Sequence, residues 1–285
     1  VTTGVENTLI GGLSGDALTV GYQNVALGYQ ALTTAQGSSA NVAIGVAALA
    51  TANSGATSSA TYNTAVGHLA GTAVTTGVQN TLIGGLAGDA LTDADFNVAI
   101  GYLALSGDTK GSKSVAIGQT ALRVQNFTTA TEVYNTAVGH SAGTAVTIGK
   151  NNTFVGALAG ALTQDSSDNT AFGQLALGGA DSGGTNTAVG VQALTVCTGY
   201  DNTAMGFLTG KAITSGHNNT VIGHDAGLTG SPGGNVTTGS NEIYIGDENI
   251  TTFNAQVDIT AASDERDKTD FTTLDLGLDF VKAMK

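Results

Sequence analysis

Tryptophan is absent from this chain, proline and cysteine occur once each, and aromatic residues make up only 5%. Each shortage excludes something. Without large side chains a thick globular core cannot be filled, so the chain must pack in thin layers of Ala, Val, Ile, Leu and Thr. One proline among 42 glycines, with no Gly-X-Y period, rules out a collagen triple helix. Cys197 stands alone, so there is no intrachain disulfide framework, and it reads as a small buried thiol. No apolar run reaches the length of a membrane span, so no membrane insertion is expected. Val1 opens inside a repeat and not in a signal peptide, so the chain reads as cut from a longer protein. Charged residues are only 11%, and the net charge of −13 argues against nucleic acid or an anionic membrane as partner. Apolar residues, at 41%, are too many for an extended disordered chain.

What the sequence has is repetition. The phrase Asn63-Thr64-Ala65-Val66-Gly67 recurs from Asn7, Asn24, Asn41, Asn80, Asn97, Ser114, Asn135, Asn152, Asn169, Asn186, Asn202 and Asn219, and a variant from Asn241 to Gly246 closes the series. The usual spacing is 17 residues, with coils of 22 and 21 residues starting at Asn41 and Ser114 and a last spacing of 22. A period this short means a stacked array. Numbering the Asn as position 0, position +4 is Gly in the first thirteen copies, and +1 to +3 are apolar or neutral. Such a strand is covered on both sides. One side is the inside of the coil, and the cheapest cover for the other is another copy of the chain. Position +7 is usually Ala and +8 is Gly or Leu, followed by a Thr/Val/Ala stretch and a Thr-Gly turn.

The fold expected is therefore all-β: a parallel β-solenoid, or β-roll, of about fourteen coils of about 17 residues. At about 4.8 Å per coil it makes a shaft of roughly 65 Å. Asn63, Asn80, Asn97, Asn135, Asn152 and Asn169 read as ladder residues that pair amides between coils. The Gly at +4 supplies a conformation or close approach that a Cβ would block. Blocks recur at 72 to 73 residues, so the shaft looks built from duplicated four-coil units. The extra residues of the two long coils fall in Ala50 to Ala60 and Val124 to Val133, loops where Ser54, Ser58, Asn126 and Thr129 are candidate receptor contacts. Residues 1–240 read as the shaft, 241–262 as transition strands, and 263–285 as a charged tail in which Leu274, Leu278 and Val281 suit a short amphipathic helix.

Two resemblances rest on different residues. The repeated Asn-Thr/Val-Ala-Ile/Val-Gly is similar to the repeat of trimeric autotransporter adhesin heads, and similar repeats occur in bacteriophage tail fibres. Ser263-Asp264-Glu265-Arg266-Asp267-Lys268, followed by Leu276-Gly277-Leu278-Asp279-Phe280, resembles the opening of the endosialidase-type intramolecular chaperone that ends many phage fibres. The resemblance implies a homotrimeric fibre whose chaperone sets the register of three chains and then cleaves itself off. Ser263 would be the nucleophile, cutting beside Asp264, and Lys268 the general base. Since the chain stops at Lys285, most of that domain would be missing. A templating end suits a repeat whose coils can pair in many registers of nearly equal energy.

These lines imply a structural fibre protein of a phage tail, placed in the virion, with other tail proteins and a host surface receptor, a glycan among the candidates, as partners. The alternative is a bacterial surface adhesin head that binds matrix or sugar. No cofactor or metal is expected. His68, His140 and His224 share position +5, but His68 and His140 are four coils apart, and His217 lies elsewhere in its coil. Only His residues from three chains meeting on an axis could bind an ion. Asp16 and Asp89 occupy equivalent turn positions. A glycosidase would need paired carboxylates and aromatic platforms for sugar rings; residues 1–240 show scattered acids and few platforms, so no enzyme is expected beyond the self-cleavage.

Overall fold

Each repeated phrase forms a strand of three residues, such as Thr64–Val66, Thr81–Ile83 or Val98–Ile100. The structure, a computed structural model, describes residues 3–55, 57–230, 234–254 and 256. Fourteen strands form one sheet in sequence order, so the chain winds through about thirteen coils, one fewer than the count of repeats suggests. Every neighbouring pair is parallel and in register, as in Ala65 beside Leu82 and Leu82 beside Ala99. Among the described residues the fold is all-β, with no helix. The contacts divide the chain into Val1–Asn249, which holds the solenoid, and Ile250–Lys285. The expected helix around Leu274, Leu278 and Val281 lies outside the described residues.

Strands this short need a forced turn at each end. At position +4 the backbone takes a conformation open to Gly alone: Gly84 has φ of 133°, and a Cβ there would sit 2.6 Å from the carbonyl oxygen of Gly101 in the next coil. Non-glycine residues also take positive φ at +8, as in Leu49 and Leu177, and at two further corners. Leu69, Leu86 and Leu103 at +6 have φ of 57° to 58°, and Tyr62, Gln79 and Phe96 just before the Asn have 53° to 60°. Each such residue costs about 1–2 kcal/mol, so surrounding contacts must hold it. Hydrogen bonds between coils do so: Leu86 donates its N–H to His68 O (2.9 Å) and Leu103 to Gly85 O (3.1 Å).

The core is a set of columns. The +2 residue points inward and is fully buried in nearly every coil, as are the Ala residues at +7. Positions +8 and +11 exchange volume. Leu32, Leu49 and Leu194 at +8 stand with Ala35, Ala52 and Cys197 at +11; where +8 is Gly71, Gly88, Gly143 or Gly210, position +11 is Val74, Leu91, Val146 or Ile213. The coil of Asn152 instead carries Phe154 at +2, seated against Gly143 and Gly160. The constant cross-section is thus kept at native density by pairing large with small.

The outward residues, +1 and +3, are half-buried or exposed. Among the described residues the strand is covered on one face only, because none of them reaches the other. Both long coils keep the sheet register. Their extra residues make small second pairs, Ser38–Ser39 with Ser59–Ala60 and Gly111–Ser112 with Thr131–Glu132. One bulged, buried residue follows each pair, Thr61 and Val133. The closing copy differs from the sequence reading. Ile243 pairs with Thr220, and the Glu242 N–H reaches Asn219 Oδ1 (3.0 Å), so Glu242, and not Asn241, takes the ladder position and the last spacing is 23. Asn241 falls one place earlier, where its φ of 65° matches the residues that precede every other Asn.

Candidate functional site

The ladder Asn residues sit at the start of each strand, inside the coil and almost fully buried. Asn63 Oδ1 accepts the backbone N–H of Asn80 (2.9 Å), Asn80 Oδ1 that of Asn97 (2.9 Å), and Asn97 Oδ1 that of Ser114 (2.8 Å). Asn135 does the same for Asn152 (2.9 Å), and Asn152 for Asn169 (3.0 Å). The side-chain NH2 groups turn to the coil's own final turn, Asn63 to Gly77 O (2.8 Å) and Asn135 to Gly149 O (2.7 Å). The principal rung is therefore amide to backbone, with direct amide–amide bonds added in some coils, such as Asn80 to Asn63 (3.2 Å). With both ends engaged and buried, these amides are closed off from a ligand in solvent.

Ser114 is too short to continue the ladder, and a neighbouring network replaces it. Gln125, at +11 of the same coil, donates Nε2–H to Ser114 Oγ (3.1 Å) and to Asp108 Oδ2 (2.6 Å). Its Oε1 accepts from Asn135 Nδ2 (2.8 Å), restoring the link across the gap. Asp108 Oδ1 takes the N–H groups of Gly111 (3.0 Å) and Phe127 (2.9 Å), which pins the start of the insertion. In the other long coil Thr61 Oγ1 donates to Asn41 Oδ1 (2.7 Å).

The candidate receptor residues divide by exposure. Ser54 is half-buried and bonded through its N–H to Ser38 Oγ (3.0 Å), whereas Ser58 is exposed and pairs with Ser39 Oγ (3.0 Å). Asn126 and Thr129 are exposed; Asn126 Oδ1 accepts from Thr109 Oγ1 (3.2 Å), and Thr129 O from Thr131 Oγ1 (2.9 Å). Beside the second insertion lies an open groove of about 210 Å³, lined by Asp95, Phe96, Ser112, Lys113, Thr131 and Glu132. Lys113 and Glu132 form an ion pair, and the Tyr134 hydroxyl lies 3.2 Å from the Lys113 ammonium. These hydrogen bonds hold the Glu132 carboxyl below and the Lys113 ammonium above their ordinary values, so both are charged at neutral pH. Sequence reasoning missed this groove, since its residues are spread over three coils. The available signal was Tyr134, which stands directly behind an insertion.

The remaining candidates are dispersed. His68 and His140 are exposed, His217 stacks on Tyr200 (4.8 Å between centres), and His224 stacks on Phe207 (5.3 Å). Among the described residues no group of three His, Cys, Asp or Glu is placed to hold a metal ion. Asp16 accepts from Thr33 Oγ1 (2.6 Å), but Asp89, its equivalent, leaves Oδ1 unbonded, and burial pushes its carboxyl up. Cys197 is buried, with its thiol pushed up to about 11. Ser263, Asp264 and Lys268 lie outside the described residues. No family model and no curated protein matches the chain.

Proposed function

We propose that the chain is the shaft of a homotrimeric bacteriophage tail fibre, extending and displaying a host-attachment surface, with assembly guided by a self-cleaving chaperone that begins at Ser263. The observation that carries this reading is the outward face of the long sheet. Ile10, Phe172 and Met205, with exposures of 58%, 57% and 50%, belong to a +3 column of apolar residues beside a +1 column of Thr and Val. Neither column contains a charge. The stripe is roughly 65 Å tall and about 10 Å wide, on the order of 600 Å² of neutral, largely apolar surface, at the upper end of what a monomer ordinarily leaves open. A partner able to cover it for its whole length must repeat with the same rise, and another copy of this chain does.

Light scattering on the purified chain tests the assembly: a trimer mass is expected, and a monomer refutes it. Expression of the full gene beside a Ser263→Ala version tests the chaperone. Two fragments meeting at or next to Ser263, with the variant intact, support the fibre. If both products stay whole, Ser263 and Lys268 lose their roles and the surface-adhesin reading takes precedence.

A further inference from the structure

The residue before each ladder position occupies the same corner of every coil. In-register hydrogen bonds align this corner: Gln79 donates its N–H to Thr61 O (2.7 Å), Phe96 to Val78 O (3.0 Å), Lys113 to Asp95 O (3.0 Å) and Asn151 to Val133 O (2.9 Å). Six successive coils therefore present Tyr62, Gln79, Phe96, Lys113, Tyr134 and Asn151 in one column. Ring and polar group alternate strictly. Residues Tyr62, Phe96 and Tyr134 are 59%, 46% and 50% exposed, and the Lys113 ammonium lies 5.2 Å from the centre of the Tyr134 ring. Consecutive rings are two coils apart, roughly 9.6 Å at the usual inter-strand spacing.

We propose that this column is a binding site for an extended, neutral, β-1,4-linked polysaccharide lying parallel to the shaft. In such a chain successive pyranose rings are flipped, so every second ring offers the same apolar C–H face to one side. Two sugar rings of an extended chain span about the two-coil interval that separates the aromatic rings. The sugar between two stacked ones meets Gln79 or Lys113, whose amide and ammonium can bond its hydroxyls. The groove holding Asp95, Ser112, Thr131 and Glu132 supplies further polar partners at the Phe96–Tyr134 step. Glu132 already neutralises Lys113, and Asp95 stands nearby, which disfavours a polyanionic glycan. A seam for another copy of the chain would repeat its apolar residue in each coil, as the +3 column does; alternation with Gln, Lys and Asn fits a ligand with a two-ring repeat.

The proposal deepens the attachment reading and rests on it for biological meaning, but its test is separate, since sugar binding is read by titration and neither trimer mass nor self-cleavage enters it. Cellohexaose and chitohexaose are titrated calorimetrically into the wild-type chain and into Phe96→Ala, Tyr134→Ala and Asn218→Ala. Asn218 occupies the same corner further along, away from the rings. At least one hexasaccharide is expected to bind, the matching disaccharide far more weakly, and each ring removal to weaken binding about tenfold, with Asn218→Ala unchanged. Unchanged circular dichroism verifies that the variants fold. Failure of both hexasaccharides to bind the wild type, or ring variants that bind as tightly as Asn218→Ala, overturns the proposal.

Discussion

The volume exchange inside the coils makes a sharp prediction for Phe154. Its ring is fully buried, and it fits because Gly143 and Gly160 carry no side chain: a Cβ on Gly160 would lie 2.6 Å from three of the ring's carbons. Phe154→Ala removes the ring and leaves a cavity, a loss of about 3–5 kcal/mol. Gly160→Leu alone forces a side chain into the ring and should cost at least as much. Together they recreate the pattern of the next coil, where Ala171 at +2 stands with Leu177 at +8, and Leu177 holds φ of 50°, close to the 59° of Gly160. The new Leu regains about 1.5–3 kcal/mol of burial and gives back about 1–2 kcal/mol for its left-handed backbone. The double variant is therefore expected to lie between about 0.5 kcal/mol worse and about 2 kcal/mol better than Phe154→Ala, despite containing a second damaging change. Hydrogen exchange at Thr153–Val155 and Thr170–Phe172 is the suitable assay, because a stacked array opens locally and one global unfolding energy is ill defined. Additive losses in the double variant would refute the exchange of volume between +2 and +8.

Asn97→Ala should strip the buried Ser114 N–H of its acceptor and the Gly111 carbonyl of a donor, costing about 1–3 kcal/mol for each group left bare. The loss is read as faster amide exchange confined to the adjoining coils, and protection equal to wild type would refute the rung. Burial raises the Asp89 carboxyl above its ordinary 3.8, so its ionisation opposes folding: the associated stability is complete below 3.8 and is lost as pH rises through the raised value. Asp89→Asn is accordingly expected to melt higher than wild type at pH 7 and equally at pH 3, and a lower melting point at pH 7 would contradict this. Cys197, with its thiol near 11 and buried, should resist alkylation by iodoacetamide at pH 8 until denaturant is added. Labelling of the native chain within minutes would place it elsewhere than the core.

Much of this architecture was legible from periodicity, because each coil must bury the same few positions to stack at all. The strand, the Gly at +4 and the buried Asn are tied to that period, and so they recur visibly. Features that depend on comparing distant coils were not legible. Glu242 replaces Asn in the last rung because the rung needs a backbone N–H from that residue and no particular side chain, so the nearby Asn241 misled the count. Gln125 stands in for the amide that Ser114 lacks through a fold of the coil, eleven residues away in sequence. Tyr62, Phe96 and Tyr134 are scattered aromatics in a linear reading. They become a file only once insertions of different length are seen to leave the register intact.

That last property separates two quantities that are usually coupled in a folded protein. Residues 41–62 and 114–134 are longer than the usual 17-residue coil, yet Val42–Ile44, Thr64–Val66, Val115–Ile117 and Thr136–Val138 remain in step with their neighbours. Reach is set by the number of turns alone, while ornament is set by what is inserted at one corner. A peptide spliced between Ser54 and Ser58, or between Asn126 and Thr129, would be carried at a fixed height on the column without altering the height of anything above or below it. The solenoid behaves as a graduated rod on which markings can be changed one at a time.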